Sequence, residues 1–333
     1  MPPRTAARRA LRGAARAVVL LALGWLAAQA PAAARAEVPA GLQPMGLQPL
    51  VGEERKALIR EDDTLLDIAF RERLGFAALA RSNPDVDVWI PEPGTVVQLP
   101  TRMILPDVAR EGLVVNVPEM RLYDFTAASG PEVLSVAVGD AVDPTLLGSF
   151  RIGSKRRDPA WYVPESIRRE KPELPPVVPP GPDNPLGRHW MTIGATTYGI
   201  HGTNNRWSIG REATHGCVRL YDDEMAKLFE RAPSGTPVHL VYQPFKWGRE
   251  GDTLFLEVHP DLYGRIDDPR EAALATPRAL ELLAGVDLEA VDRALEAVRG
   301  VPVAVGTVPP GDDTPAPGVA ESQETKGGGP PRP

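Results

Sequence analysis

The chemistry-bearing residues of this chain crowd into one short window. Cys217 is the single cysteine among 333 residues, and His201 and His215, two of the five histidines, fall in the 17 residues that end on it. From Tyr198 to Tyr221 the segment reads YGIHGTNNRWSIGREATHGCVRLY. A free thiol titrates near about 8.5, so at neutral pH it needs help to become a nucleophile. A neighbouring imidazole can take the proton, hold the pair as thiolate and imidazolium, and free the sulfur to attack a carbonyl. The imidazole then needs an acceptor to orient it. The attacked oxygen becomes negative and needs N–H donors, which a glycine-rich turn can present. His201, Cys217, Gly202 and Gly216 provide these parts.

Two other chemistries are open at this point. His215 and Cys217 are two apart, so on a strand they would share a face. With His201 and His189 they could ligate zinc, although the spacing matches no established zinc motif. Cys217 could also be a buried structural thiol with incidental histidines nearby.

The start of the chain bears on the choice. Residues 1–36 carry Arg4, Arg8, Arg9, Arg12 and Arg16, an apolar run from Ala17 to Ala28, and Ala34-Arg35-Ala36. That is the order of a secretory signal, with cleavage expected after Ala36. The apolar run is shorter than the roughly 20 residues of a comfortable membrane span; an uncleaved inner-membrane anchor is the other reading. Removing this segment, with its six Arg and no acid, takes the formal charge from −7 to −13. So acidic a chain is a poor partner for nucleic acid. An exported protein meets an oxidising compartment, where a lone thiol is a hazard unless it is sheltered or used.

The elements that must position the thiol are short. Residues 37–52, with Pro39, Gly41, Pro44, Gly46 and Pro49, read as a linker. Residues 53–101 follow as a unit of strand, helix, helix and strand. Its first strand is expected at 57–59. Asp63-Thr64 can cap a helix carrying Leu65, Leu66, Ile68, Ala69 and Phe70. A second helix runs from Phe76 to Ala80 and stops at Ser82-Asn83-Pro84, and residues 96–99 close the unit. From Gly112 the pattern turns to strands, expected at 113–117, 120–125, 132–139, 148–152, 190–193 and 198–200. Residues 155–188 are long, irregular and rich in Pro and Arg, as a segment that lines or covers a groove would be. A core-facing helix starts at Asp222 and a strand spans 238–242. Residues 244–266 extend the β region, 267–300 have a helical pattern with Asp287 as a cap, and 301–333 have the composition of a disordered tail.

Two resemblances follow from these residues. Asp63-Thr64-Leu65, Ile68-Ala69, Asn83-Pro84, Gly94 and Leu99-Pro100 make the 53–101 unit similar to a LysM module, which binds the glycan of peptidoglycan. Asp62 departs from it, standing where that family usually has Gly. His201, opening His201-Gly202-Thr203 and followed by 12 residues before Thr214-His215-Gly216-Cys217-Val218-Arg219, resembles the signature of the L,D-transpeptidase catalytic domain, also called the YkuD domain. Arg121-Leu122-Tyr123, Gly148-Ser149-Phe150-Arg151-Ile152, Asp158-Pro159-Ala160-Trp161 and the run from Gly181 to Gly187 extend the likeness over 110–243, toward the ErfK/YbiS type.

The resemblance implies a mainly β, sandwich-like catalytic domain with few helices. Cys217 is then the nucleophile, and His201 the base with the Gly202 carbonyl as its acceptor. His215 shapes the site and the charge on the thiolate, and the N–H groups of Gly216 and Cys217 form the oxyanion hole. Arg219 would hold a substrate carboxylate, unless it is spent on a structural ion pair. Tyr198, Thr203, Asn204 and Thr214 line the substrate. The implied partners are peptidoglycan stem peptides and glycan, in the periplasm, with no metal or organic cofactor. The acyl acceptor is a second stem peptide, an outer-membrane lipoprotein lysine, or water if the enzyme is a hydrolase. A non-catalytic wall-binding protein is the alternative from a different class.

Overall fold

Short apolar strands separated by turns assemble into an eight-stranded mixed sheet. A computed structural model describes residues 46–308; the expected signal segment at 1–36 lies outside the described residues. Across the sheet the strands run Val218–Arg219, Gly199–His201, His189–Ile193, Gly148–Arg157, Pro237–Val241, Leu113–Asn116, Arg121–Asp124 and Glu132–Ser135. Pro237–Val241 runs parallel to Leu113–Asn116 and antiparallel to Gly148–Arg157, so one central strand joins two hairpin-rich halves. The helix Asp222–Arg231 lays Met225, Leu228 and Phe229 against this sheet, at the three-to-four spacing a core-facing stripe requires. Each large side chain enclosed there contributes about 1.5–3 kcal/mol. The region is mainly β with few helices, as the strand pattern suggested.

Pro118 does break the strand pattern. Val117–Glu119 forms a 3-10 turn, and Met120 takes a left-handed φ of 56° before the next strand begins.

The unit before this sheet has strand Arg55–Leu58, helices Leu65–Arg71 and Phe76–Ser82, and strand Val96–Leu99 antiparallel to the first. Thr64 and Asp67 form a reciprocal capping box. Asn83 ties the second helix to the last strand: its Nδ2 donates to the carbonyls of Leu79 and Gln98, and its Oδ1 accepts from the Gln98 N–H. Asp62, the departure noted above, has a φ of 64°, which Asp tolerates better than most residues.

Three expectations need correction. The linker assigned to 37–52 contains strand Gln48–Val51, which pairs with Phe245–Glu250 and Met103–Ile104. Pro and Gly composition masked the burial of Leu47 and Gln48. The tail assigned to 301–333 contains strand Val303–Thr307, paired antiparallel with Thr253–Val258. Its alternation puts Val305 in the core, against helices Pro269–Ala279 and Leu288–Ala297. The strand expected to stop at 152 runs on to Arg157, and the segment after it holds a hairpin, Trp161–Tyr162 with Val177–Val178, around a helix at Glu165–Glu170.

The strands Val303–Thr307, Thr253–Val258, Phe245–Glu250, Gln48–Val51 and Met103–Ile104 form, in that order, a five-stranded sheet, and a buried charge cluster joins it to the eight-stranded one. Lys246 Nζ lies 2.9 Å from Glu119 and 3.2 Å from Glu257. Arg121 Nη1 lies 3.2 Å and 3.1 Å from the same two carboxylates. Burial pushes Glu257 upward, but Lys246, His259 and Arg121 outweigh it and hold it at about 2. Removing one partner would strand a buried charge, which costs about 3–5 kcal/mol. Lys246→Met is therefore expected to lower stability by about 3 kcal/mol, read from the denaturant midpoint. An unchanged midpoint would mean the cluster contributes nothing net.

Candidate active site

His201 ends a strand whose parallel neighbour begins at Val218. Ile200 faces Val218 and His201 faces Arg219 in register. Ile200 and Val218 are fully buried in the core, so the pleat sends His201 and Arg219 to the opposite face. Cys217 precedes this strand, half-buried, with the backbone of Gly199 hydrogen-bonded to its thiol.

The imidazole is firmly held. Its Nδ1 lies 2.6 Å from the Gly202 carbonyl, and Trp190 stacks on the ring with centroids 5.6 Å apart. A carbonyl can only accept, so Nδ1 carries the proton and Nε2 of the neutral ring is free to take another. Burial, and then the Arg219 cation, depress His201 to about 3, although the carbonyls of Gly202 and Leu186 oppose the shift. Burial pushes the Cys217 thiol up, and Gly199 and Arg219 pull it back only in part. Both directions favour a thiol and a neutral imidazole at neutral pH. This differs from the ion pair expected from sequence, because the site is sheltered and already holds one cation.

That cation is itself unusual. Arg219 makes no ion pair among the described residues, and its Nε is enclosed without a hydrogen-bond partner. Its backbone exchanges two hydrogen bonds with Ala137, which fixes the strand and leaves the guanidinium uncommitted.

The residues before the thiol form a tight turn. Strand Glu212–Thr214 pairs with Val138–Gly139, and Thr214 Oγ1 then donates to the Cys217 carbonyl at 2.6 Å. Between them Gly216 takes a φ of 92°, and a methyl group there would stand 2.6 Å from the Tyr198 ring. Only glycine fits both the backbone and the space. The turn presents the N–H groups of Gly216 and Cys217 in succession.

The same turn overturns the expected shared face of His215 and Cys217. The left-handed residue between them breaks the strand alternation. His215 turns outward, its Nε2 lying 3.2 Å from Glu170 and 4.0 Å from Asp143. His189 packs against Phe229, 4.8 Å between ring centroids. Among the described residues, no metal-sized cluster includes Cys217, so the zinc set is not assembled.

The expected substrate-lining residues divide. Thr214 is buried and committed to the turn, and Thr203 is buried with its Oγ1 accepting from the Asn205 N–H. Tyr198 packs its ring on Gly216, while Asn204 is exposed. Sequence reasoning missed Trp190, Asp143 and Glu170. Trp190 sits one place from His189 on a strand paired with that of His201, so the hairpin could have signalled it. The two acids reach His215 from a loop and from the end of the helix Glu165–Glu170, both distant in sequence, and leave no local signal.

With this geometry in hand, comparison with known proteins is direct. The L,D-transpeptidase catalytic domain family (YkuD) matches residues 110–240. A Salmonella typhimurium protein named "Probable L,D-transpeptidase ErfK/SrfK" is 36% identical over 277 residues, covering 79% of this chain and 89% of the relative. The Escherichia coli proteins named "Probable L,D-transpeptidase YcfS" and "Probable L,D-transpeptidase YbiS" are 35% and 33% identical. They are covered to 87% and 88% of their lengths, and cover 79% and 76% of this chain.

The protonation states can be read through alkylation. The reaction of Cys217 with iodoacetamide is expected to rise with a midpoint above the ordinary thiol value of about 8.5. Arg219→Ala should move it higher, because the cation favours the thiolate. A rate already flat between pH 6 and pH 8 would mean a preformed ion pair.

Proposed function

This chain belongs to the L,D-transpeptidase catalytic-domain family, and on that premise we propose how it acts. It is an L,D-transpeptidase, and its donor is the peptidoglycan stem tetrapeptide. Cys217 attacks the carbonyl of the third residue, a diaminopimelate, where that residue is joined to D-Ala. His201 Nε2 takes the thiol proton as the sulfur–carbon bond forms. The oxyanion rests on the N–H groups of Gly216 and Cys217. The carbon–nitrogen bond to D-Ala breaks, and His201 returns the proton to the leaving amine. A thioester remains on Cys217. An amine then attacks it, His201 takes the amine's proton, and the thiol is restored. The amine is a second diaminopimelate side chain, giving a 3→3 crosslink, or a lipoprotein lysine. The steps call on no metal or organic cofactor.

The observation that carries this reading is Arg219, a partly buried cation beside both reacting side chains, without a counterion among the described residues. A substrate carboxylate is the group it lacks. Its arrival has a second consequence. The cation depresses the basicity of His201, so neutralising it makes the imidazole a better base once the donor is bound. His215, held by Glu170 and Asp143, steadies the turn from outside. Asn204, exposed beside His201, is left to touch the stem peptide.

The 53–101 unit serves as a LysM-type glycan-binding module, which its strand-helix-helix-strand order supports. The catalytic domain then works on the stem peptides of the strand it grips. The basic start, apolar run and Ala34-Arg35-Ala36 support export to the periplasm. No described helix is long and apolar enough to cross a membrane.

Purified protein incubated with disaccharide-tetrapeptide is expected to release D-Ala and form crosslinked dimer, and Cys217→Ala to do neither. Losing a charge-assisted contact worth about 1.5–3 kcal/mol should raise KM at least about tenfold in Arg219→Ala. Tripeptide without dimer, by mass, would make the protein a hydrolase and sink the transferase reading.

A further inference from the structure

The turn that carries Cys217 rests on a second loop, residues 139–145. Gly139 pairs with Thr214 in register, and a methyl group on Gly139 would stand 3.0 Å from the Gly216 Cα. Pro144 presents its carbonyl to Gly216 from the same loop, and Asp143 reaches His215. Thr214, His215 and Gly216, the three residues before the nucleophile, are thus all in contact with this one loop. Its own closure is short. The Gly139 N–H donates to Thr145 Oγ1 at 2.8 Å, and Thr145 is buried.

One side chain from outside locks that closure. Tyr263 Oη donates to the Gly139 carbonyl at 2.8 Å and accepts from the Thr145 N–H at 3.1 Å. It therefore bridges both ends of the loop. The ring is itself held, stacked on Tyr242 with centroids 5.5 Å apart, and the Tyr263 backbone N–H donates to Tyr242 Oη at 2.9 Å. Tyr242 Oη in turn donates to Asp261. Tyr263 lies beyond the 110–240 span that matches the catalytic family, in the extension after the closing strand of the main sheet.

We propose that Tyr263 is a positioning residue for acyl transfer, holding the 139–145 loop so that the Gly216 and Cys217 N–H groups meet the oxyanion. This rests on the proposed reaction at Cys217. It assigns the C-terminal extension a part in catalysis, through the placement of the donors and not through the acidity of the thiol.

The two contributions separate experimentally. Alkylation by iodoacetamide needs the thiolate but forms no oxyanion, whereas D-Ala release from disaccharide-tetrapeptide needs both. Displacing oxyanion donors by a fraction of an ångström costs less than deleting one, which is worth about 10²–10³ in rate. In the full-length protein, Tyr263→Phe keeps the stacked ring and loses the bridge. Its kcat for D-Ala release should fall about tenfold, with KM within about twofold of wild type. The rate and pH midpoint of alkylation should not change. Thr145→Val, which opens the same closure from within the loop and keeps the Tyr263 side chain, should reproduce this split, and Thr145→Ser should restore wild-type kcat. Wild-type D-Ala release tests the underlying reaction separately, since the variants are read as ratios to it. The proposal is overturned if kcat is unchanged in both Tyr263→Phe and Thr145→Val, or if alkylation falls in step with kcat.

Discussion

A guanidinium held partly inside the protein, with no carboxylate among the described residues to balance it, is the constraint around which this site is arranged. Charge in such a setting is costly, and a protein that keeps it without a partner needs a reason. Burial, and then the Arg219 charge, disfavour a second cation nearby, so His201 stays neutral, and Arg219 pulls the buried thiol down only part of the way. The resting site is thus a poor nucleophile beside a weak base. A carboxylate on Arg219 changes both the charge count and the solvent exposure of the pair. In the proposed reaction the donor's own terminus completes the electrostatics that its attack requires, which keeps the thiol quiet until substrate is present.

Geometry around that charge comes from turns and not from long elements. The Thr214 side chain closes on the Cys217 carbonyl, and Gly216 bends the chain between them. Support arrives from both ends of the sequence. On one side, the first amides of helix Phe76–Ser82 donate to the carbonyls of Ile209 and Gly210, just before the strand that enters the turn. Arg206 and Arg211 lie over Phe70 and Phe76 across the same contact. On the other side, the extension after the main sheet meets the loop beneath Gly216. The nucleophile sits where three parts of the chain converge, and the unit at 53–101 is one of them.

Much of this was legible in the sequence, for reasons that also explain what was not. Cys217 and His201 could be found because the chemistry requires a thiol, an imidazole and glycines at close spacing. The strands of the main sheet could be found because their alternation is local. The shared face of His215 and Cys217 failed because a period of two assumes unbroken strand, and a left-handed residue, Gly216, stands between them. The protonation of the pair was misjudged because burial and the neighbouring Arg219 are tertiary facts. Gln48–Val51 and Val303–Thr307 were missed because strands at a sheet's margin need only a few apolar residues, and nearby Pro and Gly dominate the composition. The partners of His215 and the bridge to the 139–145 loop come from residues 45 to 124 positions away in sequence, beyond the reach of any local pattern.

The claim on which all of this depends is that an acyl group passes through Cys217. Rapid acid quench of the protein with disaccharide-tetrapeptide, followed by intact-mass measurement and peptide mapping, observes that step itself. The account requires a transient adduct whose mass is that of the donor less D-Ala, on the peptide containing Cys217 and labile to hydroxylamine as a thioester is. D-Ala release with no adduct at any quench time, or an adduct mapped elsewhere, would contradict it.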